Sequence, residues 1–288
     1  MTDTHLSMER TETSWLPPGI DTSRPSSARV YDAYLGGEYH FAVDRAFVQH
    51  AKQLLPHVSD VARWNRSFLC QAVRYAAKDE GITQFLDIGC GLPVTGAVHE
   101  IASECQPDAR TVYVDNEPVA VAQADMILQG NRRTKVVHGD VRHPETILPP
   151  AVELLDFDQP VCVLMVAVLH FLPDSERPAE LVARYRDALP PGSLVAISHA
   201  TVDGVPDPVR AQTLKFIDSY KTTQNPGFVA RDRQEFAALL SGFELVDPGI
   251  TYTPQWRPRV PVTADQHPEK AVCWSAVGRK SPGDVADS

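Results

Sequence analysis

The spacing of apolar residues changes near residue 80. Before that point they recur every three or four residues, as on the buried face of an α-helix. The clearest series is Phe68, Leu69, Ala72, Val73, Ala76 and Ala77. Gly81 follows, and glycine commonly ends a helix. After residue 83 the apolar residues occur instead in short runs that alternate with further helical patterns. The sequence therefore predicts a helical N-terminal region, residues 25–80, before an α/β region, residues 81–280.

Five of the short runs have the length of β-strands. They cover residues 84–88, 111–115, 135–138, 161–166 and 194–198. Four of them are continuously apolar, which is typical of strands covered on both faces in a parallel sheet. Helical patterns lie between the runs, and one begins at Asn116-Glu117-Pro118 with a capping residue and an early proline. The alternation indicates an open, mostly parallel α/β sheet.

The pattern changes again after the fifth run. Residues 205–240 predict helices that decorate the sheet over a binding pocket. Two late runs, 243–246 and 271–277, predict strands that only a proline-rich loop connects, so we expect an antiparallel hairpin at the sheet edge. Polar residues 1–24 and 281–288 predict flexible tails.

Composition and charge narrow the class of protein. Of the 288 residues, 43% are hydrophobic and 22% charged, which is typical of a globular chain. The net charge of −10, with no block of basic residues, argues against a nucleic-acid partner. The longest apolar run, 161–172, is shorter than the roughly 18–20 residues that cross a membrane. The N-terminus has no apolar signal core, so we expect a cytoplasmic protein with no membrane partner.

The cysteines suggest no metal or disulfide. There are five, an odd number, and no pair has the C-x-x-C spacing of a zinc site. We therefore expect free thiols in a reducing compartment and no bound metal.

The first candidate for chemistry is the turn after the first predicted strand. It reads Asp87-Ile88-Gly89-Cys90-Gly91 and leads into a helical segment. Glycines let a ligand approach the backbone, and a helix N-terminus offers free N–H groups. A dinucleotide site would need a third glycine three residues after Gly91. Val94 stands there, preceded by Pro93, which argues against NAD. Turn glycines with no ligand are the alternative interpretation.

Two aspartates follow the next two predicted strands. Asp115 ends the second strand, where an acid can accept the ribose hydroxyls of an adenosine ligand. Asp140 follows the third strand, where a carboxylate can accept a hydrogen bond from an adenine amino group. Taken singly, Asp115 also suits a helix cap and Asp140 a turn. Because ligands of open parallel sheets bind at the carboxyl ends of the strands, the three features in order favour an adenosyl site.

These motifs resemble those of class I S-adenosylmethionine (SAM)-dependent methyltransferases. Segments 28–37, 65–68 and 169–174 are similar to a narrower group, the actinobacterial S-adenosyl methyltransferase family, whose substrates are generally unassigned. The resemblance extends over residues 24–278. It implies a Rossmann-like class I methyltransferase fold with a seven-stranded, mostly parallel sheet under a helical N-terminal lid. It also implies that SAM is the cofactor, and that Pro93 suits the narrower family although it departs from the general motif.

The resemblance and the strand-end positions together define a predicted cofactor site. Its members are Gly89, Cys90, Gly91, Asp115, Asn116, Asp140, Val141 and Ala167. Arg29 and Arg66 are candidates to hold the methionine carboxylate, because a guanidinium binds planar anions through two hydrogen bonds. A surface role for either arginine is the alternative.

The acceptor site is predicted with less support. His170 and His199 follow the fourth and fifth strands, so we expect both to face the cleft as candidate catalytic bases. His170 is also counted among the acceptor contacts. The aromatic candidates for the pocket wall are Tyr31, Tyr34, Tyr39, Phe216 and Tyr220. Packing within the helices is the alternative for these rings, and a structural role is the alternative for both histidines.

Three functions remain open from the sequence. The first is a SAM-dependent methyltransferase acting on a small molecule, with specialised metabolism as its setting. It is favoured because the Asn/Asp-Pro-Pro-aromatic segment and the Pro-Cys dipeptide of DNA methyltransferases are absent. The second is a non-catalytic SAM-binding sensor or partner module, and the third is an NAD-dependent oxidoreductase. A homodimer stays open.

Overall fold

A computed structural model describes residues 22–93 and 96–282. The helices are α1 (Ser27–Leu35), α2 (Ala42–Leu54), α3 (Val58–Arg74), α4 (Val98–Cys105), α5 (Pro118–Leu128), α6 (Pro144–Ala151), α7 (Pro178–Ala188), α8 (Val209–Ser219) and α9 (Arg233–Leu239). The strands are β1 (Gln84–Ile88), β2 (Arg110–Asp115), β3 (Thr134–His138), β4 (Cys162–Val166), β5 (Leu194–Ala200), β6 (Glu244–Leu245), β7 (Thr251–Tyr252) and β8 (Cys273–Arg279). Most of the predicted tails, 1–24 and 281–288, and Val94 lie outside the described residues.

One sheet forms the centre of the molecule, in the order β3-β2-β1-β4-β5-β8-β6, with β7 also paired to β8. Strands β1 to β5 run parallel, and β8 runs antiparallel to β5, β6 and β7. The chain order reverses between β1 and β4. In such sheets the carboxyl ends beside that reversal form a crevice for ligands. The predicted mostly parallel sheet with an antiparallel edge is confirmed.

The late strands differ in detail from the expected hairpin. The two predicted runs do pair antiparallel, as β6 and β8. However, β8 inserts between β5 and the two-residue β6, and the loop connecting them contributes the short β7. The proline-rich sequence hides this third strand because its two residues carry no alternating pattern.

Both faces of the sheet are buried, as continuous apolar runs predict. Leu86, Val163 and Val195 face a core that α6, α7 and α9 complete, while Phe85 and Leu164 face a second core against α3 and α4. A third cluster joins α1, α2 and the start of α3 to α8 above the carboxyl ends of the strands.

The N-terminal helices therefore pack in two places, the upper cluster and one face of the sheet. Val30, Phe47 and Ala62 belong to the upper cluster, whereas Phe68 and Val73, later on α3, pack under the sheet. The helical decoration predicted over residues 205–240 divides in the same way. Helix α8 lies in the upper cluster with Phe216, and α9 packs beside α7 with Phe236 in the main core.

Candidate functional site

A cavity of about 450 Å³ lies between the carboxyl ends of the strands and the upper helical cluster. That volume is typical of sites for small organic ligands. We call one side the polar end, lined by Gly89, Gly91, Asp115, Asn116, Asp140 and Val141. We call the other the aromatic end, lined by Tyr31, Tyr34, His170, Phe171, Phe216, Tyr220 and Phe228. The cavity thus joins two chemically different surfaces.

The glycine turn at the polar end has a backbone that only glycine tolerates well. Gly89 has φ +72° and Gly91 has φ +58°. A β-carbon on Gly89 would lie 2.5 Å from Val168 Cγ2, so a side chain there would displace the loop after β4. The Gly89 N–H donates to the Val114 carbonyl at 2.8 Å, which ties the turn to β2. The result is a bare stretch of backbone against which a ligand can lie.

Asp115 connects this turn to the next loop. Its Oδ2 accepts the Gly91 N–H at 2.8 Å and its Oδ1 accepts the Glu117 N–H at 2.9 Å. The residue is 8% exposed, and burial raises its pKa above the ordinary value despite these hydrogen bonds. Each carboxylate oxygen accepts more than one hydrogen bond, so both keep capacity for ligand hydroxyls.

Asp140 lies further along the polar end. Arg142 donates to its Oδ1 through Nε at 2.9 Å and to its Oδ2 through Nη2 at 2.5 Å. Burial raises the pKa of Asp140, but the Arg142 hydrogen bonds outweigh it and hold the pKa below the usual value. Asn116 Nδ2 lies 3.5 Å from Asp140 Oδ2. An ionised acceptor is therefore held in the cavity wall.

Asp87 and Arg66 form the floor beneath the glycine turn. Burial raises the pKa of Asp87 to about 7, and the nearby Arg66 guanidinium acts in the opposite direction. Arg66 lines the cavity and donates to the Gly96 carbonyl at 2.8 Å. A guanidinium has five N–H donors, so this hydrogen bond leaves most of them available to a ligand. Binding of the methionine carboxylate by Arg66 stays a prediction.

Arg29 is placed differently from its prediction. It is fully buried and does not line the cavity. Its Nε binds Asp44 Oδ2 at 2.7 Å, and its Nη1 binds Glu117 Oε1 at 2.8 Å. Two carboxylates already occupy this guanidinium, so the prediction that it faces a methionine carboxylate is wrong. Arg29 instead fastens α1 to the loop that follows β2.

A chain of hydrogen bonds crosses the middle of the cavity wall. Ala167, just after β4, has a strained φ of +59°, and its N–H donates to Ser198 Oγ at 2.9 Å. Ser198 Oγ donates to Asn65 Oδ1 at 2.6 Å, and Asn65 Nδ2 donates to Tyr31 Oη at 2.9 Å. Tyr31 in turn donates to the Ala62 carbonyl at 3.1 Å. These bonds link the end of β4, the neighbouring β5 and the helix α1 above the cavity.

The rings of the aromatic end pack against one another. Phe216 and Tyr220 from α8 and its extension meet Phe228 at centroid distances of 6.0 and 4.9 Å, and Phe171 lies 5.2 Å from Phe228. Edge-to-face and tilted contacts of this kind stabilise a fixed arrangement. The wall is therefore a largely apolar surface of packed rings.

His170 lies within this aromatic surface. Its ring stacks on Phe228 at 4.4 Å and 20°, and its Nδ1 is buried with no hydrogen-bond partner in the described part of the chain. Burial, with the positive charge of Arg231 as a smaller cause, holds the pKa of His170 well below the usual range. The imidazole is thus neutral at physiological pH and has an unused nitrogen.

His199 does not face the cleft, so that part of the prediction is wrong. It belongs to β5 itself, is fully buried and does not line the cavity. Its Nδ1 lies 2.9 Å from the Ala200 carbonyl and its Nε2 lies 2.7 Å from Arg231 Nη1. Both ring nitrogens are used, and burial lowers its pKa to about 3.

Tyr39 also lies elsewhere. It is 42% exposed and does not line the cavity. Only its backbone N–H takes part in the local structure, by donating to Asp32 Oδ2 at 2.9 Å. The glycine pair before it turns the chain outward, so the prediction of a pocket wall is wrong for this ring.

All the other predicted site residues line the cavity. At or near the polar end these are Gly89, Cys90, Gly91, Asp115, Asn116, Asp140, Val141, Ala167 and Arg66. At the aromatic end they are Tyr31, Tyr34, His170, Phe216 and Tyr220. Sequence reasoning missed Phe171 and Phe228, which lie outside regular helices and strands, and the inner residues Asn65, Ser198 and Arg231.

The polar end fits the groups of SAM. Bare backbone at Gly89 and Gly91, carboxylate acceptors at Asp115 and Asp140, and a guanidinium at Arg66 match an adenosyl group and an amino acid carboxylate. In residues 22–93 and 96–282, no group of three or more His, Cys, Asp or Glu side chains could hold a metal ion. Within the same residues, no helix has both the length and the apolar character needed to cross a bilayer.

Comparison with known proteins gives the class. The profile of the family described as S-adenosyl methyltransferase matches residues 13–281. The chain belongs to this family, and it is a SAM-dependent class I methyltransferase. Among curated proteins, none matches the chain.

Two solved structures are similar over nearly their whole length. A candidate methyltransferase from Thermobifida fusca has 38% sequence identity and a TM-score of 0.85, covering 93% of this chain and 99% of its own. A DUF574 family protein from Streptomyces avermitilis has 31% identity and a TM-score of 0.82, covering 91% and 99%. The family and fold are therefore shown, and the methyl acceptor is open.

Proposed function

We propose that this methyltransferase acts on a small, largely apolar molecule that binds at the aromatic end through one O–H or N–H group. The observation that carries the proposal is the wall of packed rings that lines the cavity around His170. The Nδ1 of His170 is buried without a hydrogen-bond partner in the described residues, and it meets a ligand once the imidazole ring turns toward the cavity. A buried polar atom without a partner costs free energy, and a ligand that supplies a donor removes that cost. The aromatic rings supply the apolar contact area.

At the polar end, each predicted cofactor contact has a role. The N–H groups around Gly89 and Gly91 lie against the amino acid part of SAM, Asp115 accepts the ribose hydroxyls, and Asp140 accepts the adenine amino group. Arg66 binds the methionine carboxylate. The remaining members, Cys90, Asn116, Val141 and Ala167, complete the wall around the adenosyl group.

When bound, SAM supplies a methyl group on a positively charged sulfur. The task of the chain is to align the acceptor with that group and to exclude water. The hydrogen-bonded series from Ala167 to Tyr31 fixes the wall between the two ends. His170 accepts a hydrogen bond from the acceptor, which turns a lone pair of the acceptor atom toward the methyl carbon. Because its pKa is low, the imidazole does not keep the released proton, which passes on to solvent.

A small acceptor also suits the enclosure of the cavity. Helices α1 and α8 lie over it, and Tyr31, Tyr34 and Phe216 close its aromatic end. A nucleic acid would meet a chain with a net charge of −10. All five cysteines are free thiols. A cytoplasmic location stays a prediction. Homodimer formation and a place in specialised metabolism stay predictions.

The test is methyl transfer into a mixture of small molecules. Wild-type protein is incubated with methyl-labelled SAM and deproteinised cell extract, and labelled products are separated by mass. We expect labelled compounds of low mass, and we expect their yield to fall at least about tenfold in His170→Ala, which lacks the hydrogen-bond acceptor. The matched control is Phe171→Leu, which trims the apolar wall but keeps the imidazole.

The outcomes separate the alternatives. SAM binding without label transfer to any extract would favour the sensor or partner module. In a parallel incubation with whole cell extract, label in protein or nucleic acid would contradict the small-molecule proposal. Thermal stabilisation by NAD greater than that by SAM would favour the oxidoreductase.

A further inference from the structure

A buried arginine lies behind the aromatic end, outside the cavity. Arg231 is 4% exposed. Its Nη2 donates to the Leu172 carbonyl at 2.9 Å and to Asp174 Oδ1 at 2.6 Å. Its Nη1 donates to His199 Nε2 at 2.7 Å and lies 3.5 Å from the Leu169 carbonyl. The guanidinium therefore contacts both ends of the turn that carries His170.

Its neighbours along the chain hold the same turn. Phe228 stacks on the His170 ring at 4.4 Å, and the Val229 N–H donates to the His170 carbonyl at 2.7 Å. Gly227 packs so closely that a β-carbon would lie 2.7 Å from the Phe171 carbonyl oxygen. We call residues 227–231 the clamp segment. It contacts the ring face, the backbone and the flanking carbonyls of one short turn.

Stability alone does not explain this arginine. Among the residues that the structure describes, its anionic partner is Asp174, whose side chain is 79% exposed, so solvent screens that ion pair. Its other partners are neutral carbonyls and a neutral imidazole. Burying a charge is costly, and here neutral acceptors rather than a buried carboxylate offset most of that cost. The planar fork of the guanidinium does, however, hold three groups at once, namely the Leu172 carbonyl, the His199 ring and the Asp174 carboxylate.

We propose that Arg231 is a positioning residue for methyl transfer, which holds the turn Leu169–Leu172 so that the His170 imidazole faces the acceptor. It acts through His170 and through His199, whose Nε2 it occupies. The inference rests on the proposed role of His170, but it is tested without any acceptor. The charged or titratable groups that face His170 are His199 and Arg231, and Asp174 lies on the far side of the guanidinium.

The test is nuclear magnetic resonance of Arg231→Met, which keeps the bulk and removes both the fork and the charge. We expect amide exchange at Phe171 and Leu172 to become about tenfold faster or more, because the turn loses its anchors. We expect the His170 imidazole to titrate at a higher pH than in wild type, since a nearby positive charge is gone. Arg231→Lys keeps the charge without the fork, so it should speed amide exchange and leave the titration near that of wild type.

The controls separate this idea from general damage and from the proposed function. Arg279→Met removes an arginine that binds Glu80 and Tyr75 far from the cavity, and it should leave the His170 signals unchanged. SAM affinity, measured separately, should stay within about threefold in all variants, because the polar end is untouched. Unchanged exchange and imidazole signals in Arg231→Met would overturn the proposal. If that variant does not fold, slow exchange at Leu172 in Arg231→Lys would overturn it equally.

Discussion

The two ends of the cavity are built by different means. At the polar end, Gly89, Asp115 and Asp140 stand at or directly after the ends of neighbouring parallel strands, and backbone hydrogen bonds join the loops. At the aromatic end, the rings come from α1, the turn after β4, α8 and the clamp segment. Ring packing brings these segments together, with a backbone hydrogen bond from Val229 to His170. One end is thus fixed by the sheet, and the other by contacts that a few substitutions can rearrange.

The strongest expected effect concerns the ion cluster that ties α1 to the polar end. Arg29→Met leaves Asp44 and Glu117 buried without their common partner. We expect the free energy of unfolding to fall by about 3–5 kcal/mol, as for other broken buried ion pairs. Denaturant unfolding measures the effect.

Arg66→Met is the matched comparison for Arg29→Met. Arg66 lines the cavity and, within residues 22–93 and 96–282, donates a hydrogen bond to the Gly96 carbonyl. We expect little loss of stability but about tenfold weaker SAM binding, because a charge-assisted contact to the methionine carboxylate is lost. The opposite pattern, with Arg29 governing affinity and Arg66 governing stability, would restore the original expectation for Arg29.

The next prediction separates two consequences of adding a side chain at Gly89. One is backbone strain at positive φ, and the other is the steric clash with Val168. Gly89→Ala adds a β-carbon at positive φ that also collides with Val168, next to the turn carrying His170. We expect SAM affinity, measured by calorimetry, to fall about 100-fold. Gly192→Ala has a similar φ of +83° but its nearest neighbour is Pro160 at 3.6 Å. It should cost about 1–2 kcal/mol of stability through strain and leave SAM affinity unchanged.

Relief of the collision sharpens this prediction. Val168→Ala in the Gly89→Ala background removes the methyl groups that are struck, so affinity should recover at least partly. An affinity of Gly89→Ala equal to that of Gly192→Ala would show that the close approach to Val168 has no consequence.

A smaller effect appears in the pH dependence of stability. His199 is neutral in the folded chain because burial lowers its pKa to about 3, whereas its unfolded value is about 6.5. Below pH 6.5 the unfolded state therefore binds a proton that the folded state does not, and stability falls as pH falls. Between pH 7 and pH 5 this group removes about 2 kcal/mol. His199→Asn has no imidazole to titrate. The amount by which its free energy of unfolding lies below that of wild type should therefore shrink by about 2 kcal/mol between pH 7 and pH 5.

Unfolding at several pH values checks the sign. If the stability difference between wild type and His199→Asn grew as the pH fell, His199 would be protonated in the folded chain and paired as a cation.

The sequence predicted the polar end well because its chemistry follows from position along the strands. Gly89, Asp115 and Asp140 are each recognisable as the residue that ends or follows a strand, and parallel strands bring such residues together. The sheet was predictable for the same reason, since continuous apolar runs mark strands covered on both faces. The two-residue β7 was missed because so short a strand has no periodicity.

The aromatic end was only partly predictable. Phe171 and Phe228 have no periodic pattern around them, and their position depends on the clamp segment meeting the turn after β4. His199 was misplaced because alternation along β5 decides which side it faces, and it belongs to the strand rather than to the loop beyond. Arg29 was misassigned because its partners, Asp44 and Glu117, are 15 and 88 residues away along the chain.

The most direct measurement is calorimetric titration of the purified protein with SAM and with its demethylated product. The account predicts binding of both by wild type. In Asp115→Ala the affinity should be about 10- to 100-fold weaker, because charge-assisted hydrogen bonds to the ribose and to the glycine turn are lost. Absence of heat with either compound, or equal affinities in wild type and Asp115→Ala, would contradict it.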